Sequence, residues 1–361
     1  MKQFFAFVLL VLLAAVAAAG YLWYSIEKPF GIIPPEGVFV EIPHGVSQRT
    51  AAHILKTNGV IRSAIAFEIY ARRHPKRSLQ AGEYFFDHPL AGKQVFWKLA
   101  NGEVYQQPFT VKEGDTIFDI AHNLEAAHFM KAAEFLKAAN DATQVQDFAP
   151  GAKTLEGFLF PATYNLPHRT TPADLTTMMV RKFREALQQV APDRLEPLTP
   201  GTPLLSVITL ASLVEAETPK PEERPLVAGV YTNRLHKDML LQCDPTVIYA
   251  LKLVDEYNPP LTLKDLHRDS PYNTYLHGGL PPGPIGNPGE SAIRAALSPA
   301  PTDFLYFVAN TQGGHFFAST LAEHNRNVAK YHRLLNGEPA DPPVIEAHRH
   351  HAAGSAHKGK R

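Results

Sequence analysis

The sequence predicts an α+β protein: an apolar N-terminal span, two small strand-and-helix repeats, then a larger mixed helix/strand domain. Three observations carry that prediction. Residues 3–26 contain no charge and 21 of the 24 are apolar, enough to cross a bilayer as one helix. A short pattern recurs at an offset of 69 residues in the N-terminal third, the mark of repeated small modules. Beyond residue 150, helical periodicity alternates with short β-rich runs and Gly/Pro-rich turns.

Composition bounds the rest. The 361 residues carry 35 basic and 35 acidic side chains, and setting the span aside leaves 34 basic and 35 acidic. That balance argues against a nucleic-acid partner, which calls for a basic excess or stripe. A single cysteine excludes a disulfide framework within the chain and any cysteine-clustered metal site.

The span has two readings. Ala15-Val16-Ala17 and Ala17-Ala18-Ala19 suit cleavage of a signal peptide. The apolar run continues, however, through Tyr21-Leu22-Trp23-Tyr24, where a mature N-terminus turns polar. Aromatics there fit an interfacial belt, so an uncleaved anchor over residues 1–26 is expected, with the remainder exported. A Pro/Gly-rich linker follows over 27–37.

The repeat comes next. Ile42-Pro-His-Gly45-Val-Ser47 is echoed by Val111-Lys-Glu-Gly114-Asp-Thr116, and Ala52-His53 by Ala121-His122. Each copy reads as a strand, a Gly turn, a Ser/Thr N-cap and an amphipathic helix. Between them, 82–86 reads as a strand and 95–99 as a helix ending at Asn101-Gly102. The copies are assigned to 38–103 and 104–149.

The remaining domain is assigned to 150–337. Thr171-Pro172 opens a helix to about Val190, and Thr202-Pro203 opens a second that stops before Pro219. The second is apolar almost all round, so it should be buried. A third covers about 222–236, with Val227, Val230, Tyr231 and Leu235 inward. Asp244-Pro-Thr246 starts a helix or turn, with Asp244 as its expected cap. Residues 272–288 are too rich in Gly and Pro for regular structure. Asn287-Pro-Gly-Glu290 caps a helix to Leu297, and 304–309 with 315–319 form a hairpin. Thr320-x-x-Glu323 is a capping box for the last helix. Residues 338–361, with His348, His350 and His351, read as a disordered tail.

Glu215 and Glu217 stand out at the end of the buried helix. A carboxyl there is costly to ionise, and its pKa rises toward the range a general acid needs. At about 100° per residue the two point about 200° apart, so they do not converge on one bond as a two-carboxylate glycosidase requires. Periodicity leaves open which of them faces a cleft. His315 and His324 have no metal-ligand spacing and read as structural. Cys243 lacks a His/Asn arrangement for nucleophilic catalysis.

Residues 109–121, built on Val-x-x-Gly-Asp-Thr followed by Ile-Ala, resemble the LysM module, which binds glycans containing N-acetylglucosamine. Ala211-Ser-Leu-Val-Glu215-Ala-Glu217-Thr218 resembles the signature of the YceG-like family, the endolytic murein lytic transglycosylases. Val230-Tyr-Thr-Asn233-Arg234-Leu235, Leu241-Gln242-Cys243-Asp244-Pro-Thr-Val247, Tyr272-Asn273-Thr274-Tyr275, the 279–289 segment and His315 with Glu323-His-Asn325 follow in the family's order. Two positions depart from it: Ala162 where Asp is usual, and Cys243 where Thr or Ser is usual.

The resemblance implies non-hydrolytic cleavage of the β-1,4 bond between N-acetylmuramic acid and N-acetylglucosamine, with no cofactor and no metal. It assigns the acid and base role to the first glutamate of the pair, Glu215. It implies substrate binding by Gln242, Asp244, Tyr272, Asn273, Thr274 and Tyr275, with Glu156, Glu217, Asn233 and Arg234 in support, Glu217 as a partner of Arg234. It implies a single-pass protein of the bacterial inner membrane with its catalytic domain in the periplasm, acting on glycan strands near the cell-wall synthases. Two other readings stand beside it: a glycan-binding scaffold without catalysis, and a hydrolysing muramidase using Glu215 with a distant carboxylate such as Asp244.

Overall fold

Leu, Val, Ala and Phe are good helix formers or tolerated ones, and with no proline and a single glycine, Gly20, they run as one helix, α1 (Lys2–Glu27). It ends where Lys28 turns to extended backbone. The structure is a computed structural model that describes residues 1–191, 203–337 and 339. Its chain falls into two units: Met1–Thr110 with Thr163–Thr171, and Val111–Ala162 with the chain from Pro172 onward.

In the first unit, the expected linker begins with a short strand, β1 (Pro29–Phe30). The first repeat follows as β2 (Val38–Ile42), α2 (Gln48–Thr57), α3 (Ala64–Arg72) and β3 (Gly82–Phe86). Ser47 caps α2 by accepting the Thr50 N–H at 3.1 Å, and Ser63 caps α3 from Ala66 at 3.3 Å. The turn before α2 needs Gly45 at φ +76°, a region that disfavours a Cβ. β2 and β3 pair antiparallel from Val38↔Phe86 to Ile42↔Gly82. β4 (Leu90–Ala91) pairs with β1 and leads into α4 (Gly92–Ala100). α3 gave no clear periodicity in the sequence, being apolar on most sides.

Leu55, Phe67, Tyr84, Phe86, Phe96 and Leu99 form the core of this unit. Each such side chain contributes about 1.5–3 kcal/mol on burial. The Tyr84 hydroxyl donates to Gln80 O at 2.8 Å, and burial pushes its pKa up to about 12. β5 (Gln107–Thr110) and β6 (Thr163–Leu166) complete the unit as an antiparallel pair.

The second unit starts with the helices of the second repeat, α5 (Ile117–Ala126) and α6 (Ala132–Ala139). Thr116 and Asp119 form a capping box at α5, and Gly114 takes φ +82° at the turn before it. The second repeat is therefore also strand, helix, helix, strand. Its helices belong to the second unit and its strands to the first, so the boundary expected at 149/150 does not coincide with a division of the structure. The reason is a buried tie: Glu156 accepts the Ile117 N–H at 3.1 Å and the Asn287 side-chain amide at 3.0 Å.

Then follow α7 (Pro172–Val190), α8 (Leu204–Glu217), α9 (Arg224–His236), α10 (Asp244–Lys252) and α11 (Glu290–Leu297). The hairpin is β7 (Tyr306–Ala309) with β8 (His315–Ala318), and α12 (Leu321–Leu335) is the last element described. α8 is central: α9, α10 and α11 all pack on it, and its residues from Val207 to Val214 are buried. An all-apolar helix requires such an environment. On α9 the inward residue near the end is Arg234, 8% exposed, while Leu235 is only half-buried. Thr202, the expected cap of α8, and the expected 338–361 tail with its three histidines, apart from residue 339, lie outside the described residues.

Candidate active site

The two glutamates of the Glu-x-Glu pair occupy the last turn of α8 and point to different surroundings. Glu215 has a side chain only 5% exposed, ion-paired with Arg224, itself 4% exposed. Its other oxygen accepts the Gly289 N–H at 2.9 Å. Arg224 also meets Glu113 at 3.3 Å, and a Cβ on Gly114 would lie 3.7 Å from the Glu215 side chain. Burial pushes the Glu215 carboxyl up, while the Gly289 N–H and Arg224 pull against that. This carboxylate ties the end of α8 to the start of α9 and to the turn before α11, and Arg224 extends the link to Glu113 in the turn of the second repeat.

Glu217 faces a cleft of about 370 Å³, where Arg234, Gln242, Asp244, Tyr275 and His315 join it. Tyr231 Oη donates to Glu217 Oε1 at 2.6 Å, and the Cys243 thiol lies beside the same carboxyl. Burial is the main cause that raises the Glu217 pKa, and the negative charge of Asp244 adds to it. Tyr231 and Cys243 are fully buried, and burial raises both of their pKa values as well. The thiol is thus a small packing group, as a buried cysteine of raised pKa is unreactive.

The other sequence-derived residues divide into those at the cleft and those behind it. Asp244 is the first residue of α10 rather than its cap; the N-cap position is Cys243, without a side-chain cap bond. Asp244 Oδ1 instead accepts from Tyr275 Oη at 2.5 Å, and this acid–phenol pair forms one wall. Gln242 sits at φ +52°, in a conformation costly for a non-glycine residue. Arg234 fixes it there, donating to the Leu240, Leu241 and Leu305 carbonyls at 3.1, 3.0 and 2.6 Å. Arg234 is therefore a clamp on backbone rather than an ion-pair partner of Glu217, as had been expected.

Asn273 and Thr274 do not reach the cleft. Asn273 is fully buried and donates to the Leu266 and Arg268 carbonyls at 3.0 and 2.8 Å. Thr274 Oγ1 accepts the Cys243 N–H at 3.0 Å. Asn273 closes the 266–275 loop on itself and Thr274 holds it against the start of α10, so their polar groups are already satisfied. Tyr272 packs on Tyr249, with ring centroids 5.0 Å apart, and lines a small crevice with Pro282, Gly283 and Pro284. Asn233 donates to the Thr302 and Phe304 carbonyls at 2.6 and 3.0 Å. Asn287 is buried in the tie to Glu156 and does not cap α11, whose N-cap is Gly289.

Glu156 is 1% exposed, and burial raises its carboxyl to about 8.

Two histidines read from the sequence as structural line the cleft. His315 Nδ1 pairs with Glu223 Oε2 at 2.7 Å, which orients its ring. His324 stacks on Tyr306 at 5.2 Å, and its Nδ1 is buried without a partner among the described residues. Sequence spacing gave no signal for them, because only the tertiary fold brings β8 and α12 to the cleft that Glu217 lines. Among the described residues no group of three His, Cys, Asp or Glu side chains comes together as a metal-ligand set.

A cleft with one buried, raised-pKa carboxyl, an acid–phenol pair and an oriented histidine is the arrangement of an acid–base enzyme acting on a polar substrate. The chain matches the YceG-like family over residues 40–330 and belongs to it. It is 35% identical over 309 residues to a Bacillus subtilis protein named endolytic murein transglycosylase, covering 81% of this chain and 84% of that one. It is 30% identical over 355 residues to a Streptococcus pneumoniae protein of the same name, covering 89% of this chain and 64% of that longer one. A crystal structure of a yceG-like protein from Listeria monocytogenes is similar at 34% identity and a TM-score of 0.51, covering 81% of this chain and 99% of that one.

Proposed function

We propose that the chain is a membrane-anchored endolytic murein transglycosylase and that Glu217, not Glu215, is its acid and base. The observation that carries the assignment is the cleft: Glu217 lines it, whereas Glu215 is locked to Arg224 and Gly289. Burial raises the Glu217 pKa and so favours the protonated form that a general acid needs.

The reaction then follows from one carboxyl. Protonated Glu217 gives its proton to the oxygen linking muramoyl C1 to the next N-acetylglucosamine. That C1–O bond breaks and the glucosamine leaves as an alcohol. The Glu217 carboxylate takes the proton of the muramoyl 6-hydroxyl, whose oxygen bonds to C1 and closes a 1,6-anhydro ring. No water is consumed, and the proton balance returns Glu217 to its starting state. Positive charge developing at C1 is met by Asp244, which Tyr275 holds in place. Gln242, aimed by Arg234, is placed to hydrogen-bond sugar hydroxyls.

The same proposal takes the two strand–helix–helix–strand repeats as LysM-like modules, α1 as the anchor in the inner membrane and the rest as periplasmic. Strands cut while still growing place the enzyme beside the synthases that extend them. The support is the apolar helix long enough to span together with the names of the relatives. Incubating the full chain with glycan strands and reading the new chain ends by mass spectrometry tests it. Anhydromuramoyl ends are expected; reducing ends mean a hydrolase, and binding without new ends means a scaffold.

A further inference from the structure

The anchor helix does not leave its unit at the membrane edge. Leu22 and Ile26 pack into the core of the first unit, and α1 lies against α3 and α4. A crevice of about 250 Å³ runs between the two helices, lined by Ala19, Leu22 and Trp23 on α1 and by Ile69, Tyr70 and Arg73 on the other side. About 20 apolar residues traverse the hydrocarbon at 1.5 Å each. Counted from residue 3, the hydrocarbon ends near residue 22, so α3 stands at the level of the headgroups.

The surface of α3 there is apolar and basic together. Ile65 and Ile69, one helical turn apart, are 67% and 37% exposed, and Trp23 and Tyr24 are 63% and 45% exposed. Arg72, Arg73, Lys76 and Arg77 follow directly and are all exposed. The acids nearby are already paired: Glu68 with Arg72 at 2.6 Å and Glu27 with Lys93. Arg62 lies over the Tyr24 ring at 4.8 Å, with its Nε buried and without a partner among the described residues.

We propose that this face of the first unit, Ile65 and Ile69 with Arg73, Lys76 and Arg77, is a docking surface for the anionic bilayer that α1 enters. Apolar side chains seat between the headgroups and the cations meet lipid phosphates, the pattern of an interfacial helix. The unit is then held flat on the membrane rather than swinging on its tether. The proposal rests on α1 being an anchor.

Cys243 is the single cysteine and is buried, so an introduced cysteine can be labelled alone in the full chain. The full chain carrying Ile65→Cys or Phe7→Cys, labelled with an environment-sensitive dye, is placed in vesicles of phosphatidylcholine with phosphatidylglycerol, or of phosphatidylcholine only. Quenchers sit on lipids at headgroup depth or mid-bilayer. The expected result is headgroup-depth quenching of label 65 in the anionic vesicles. Replacing Arg73, Lys76 and Arg77 by Gln should lower the docked-to-free ratio about five-fold per residue. Label 7 quenched with label 65 in water overturns the docking surface and leaves the anchor. Both labels unquenched overturns the anchor itself. Equal quenching of label 65 in both vesicles, unmoved by the Gln substitutions, overturns the role of the charges.

Discussion

Exchanging each glutamate of the pair for glutamine separates the two roles assigned to them. Glu217→Gln keeps the shape and the hydrogen bond from Tyr231 but cannot donate and retake a proton. Lost acid–base catalysis costs roughly 100- to 10,000-fold in rate, with little change in stability. Glu215→Gln keeps the Gly289 contact but leaves the Arg224 guanidinium, 4% exposed, facing only Glu113 at 3.3 Å. Breaking a buried ion pair costs about 3–5 kcal/mol. With the amide still bonded to Gly289, about 2–3 kcal/mol is expected, and at 2–4 °C per kcal/mol the melting temperature falls by about 4–12 °C. The assay counts anhydromuramoyl ends per unit time on glycan strands, beside a thermal melt of each variant. Wild-type rate should also decline as pH rises through the raised pKa of Glu217, because the protonated form is the donor. A Glu215→Gln protein that melts like wild type and makes no new ends, beside an active Glu217→Gln, would refute the assignment.

Four further outcomes follow from the packing. Glu156 binds its proton more tightly folded, at about 8 against 4.5, so the native state holds more protons between those values and stability falls as pH rises across them. The slope is at most about 1.4 kcal/mol per pH unit; melts from pH 5 to 8 should show it, and Glu156→Gln should flatten it. Gly229→Ala normally favours a helix by about 1 kcal/mol, but here the new Cβ meets the Ala300 carbonyl at 2.7 Å and Thr302 Cγ2 at 2.8 Å. A loss of about 1–3 kcal/mol is expected instead, read by denaturant unfolding. Arg234→Lys cannot reach the Leu240, Leu241 and Leu305 carbonyls together; it should lower both melting temperature and turnover by releasing Gln242. The Cys243 thiol should resist an aromatic disulfide reagent in the native protein and react fully in denaturant, as its burial and raised pKa require.

Much of the fold was legible because its signals are local. The caps Ser47, Thr116 and Thr320 act within three residues of themselves, and the Gly turn of each repeat is set by backbone conformation. β1, α3 and β6 were not legible, since strands of two and four residues and a nine-residue helix apolar on most sides carry no clear period. The division of the second repeat between the units was also hidden, because it depends on Glu156 meeting Ile117 and Asn287, 39 and 131 residues away. At the site, the family pattern picks out segments that the fold brings around the cleft, but not the direction of each side chain. Asn273 and Thr274 look like sugar ligands in sequence, yet the loop they fix uses all their bonds.

The Glu-x-Glu spacing itself explains why both carboxyls are present. Two residues on a helix face nearly opposite ways, so in the proposed assignment one carboxyl on the last turn of α8 fixes that turn while the other is left to meet substrate. A general acid works only if its oxygen is held within tenths of an ångström of the bond it protonates. The end of a helix is where backbone restraint is weakest, since its last carbonyls lack partners. Glu215, tied to Arg224 on α9 and to Gly289 before α11, supplies that missing restraint two positions before Glu217. Moving either glutamate by one residue would place both roles on neighbouring faces and lose one of them. On the proposed assignment the spacing is thus a mechanical requirement of putting an acid at a helix terminus, not a pair of catalytic carboxylates.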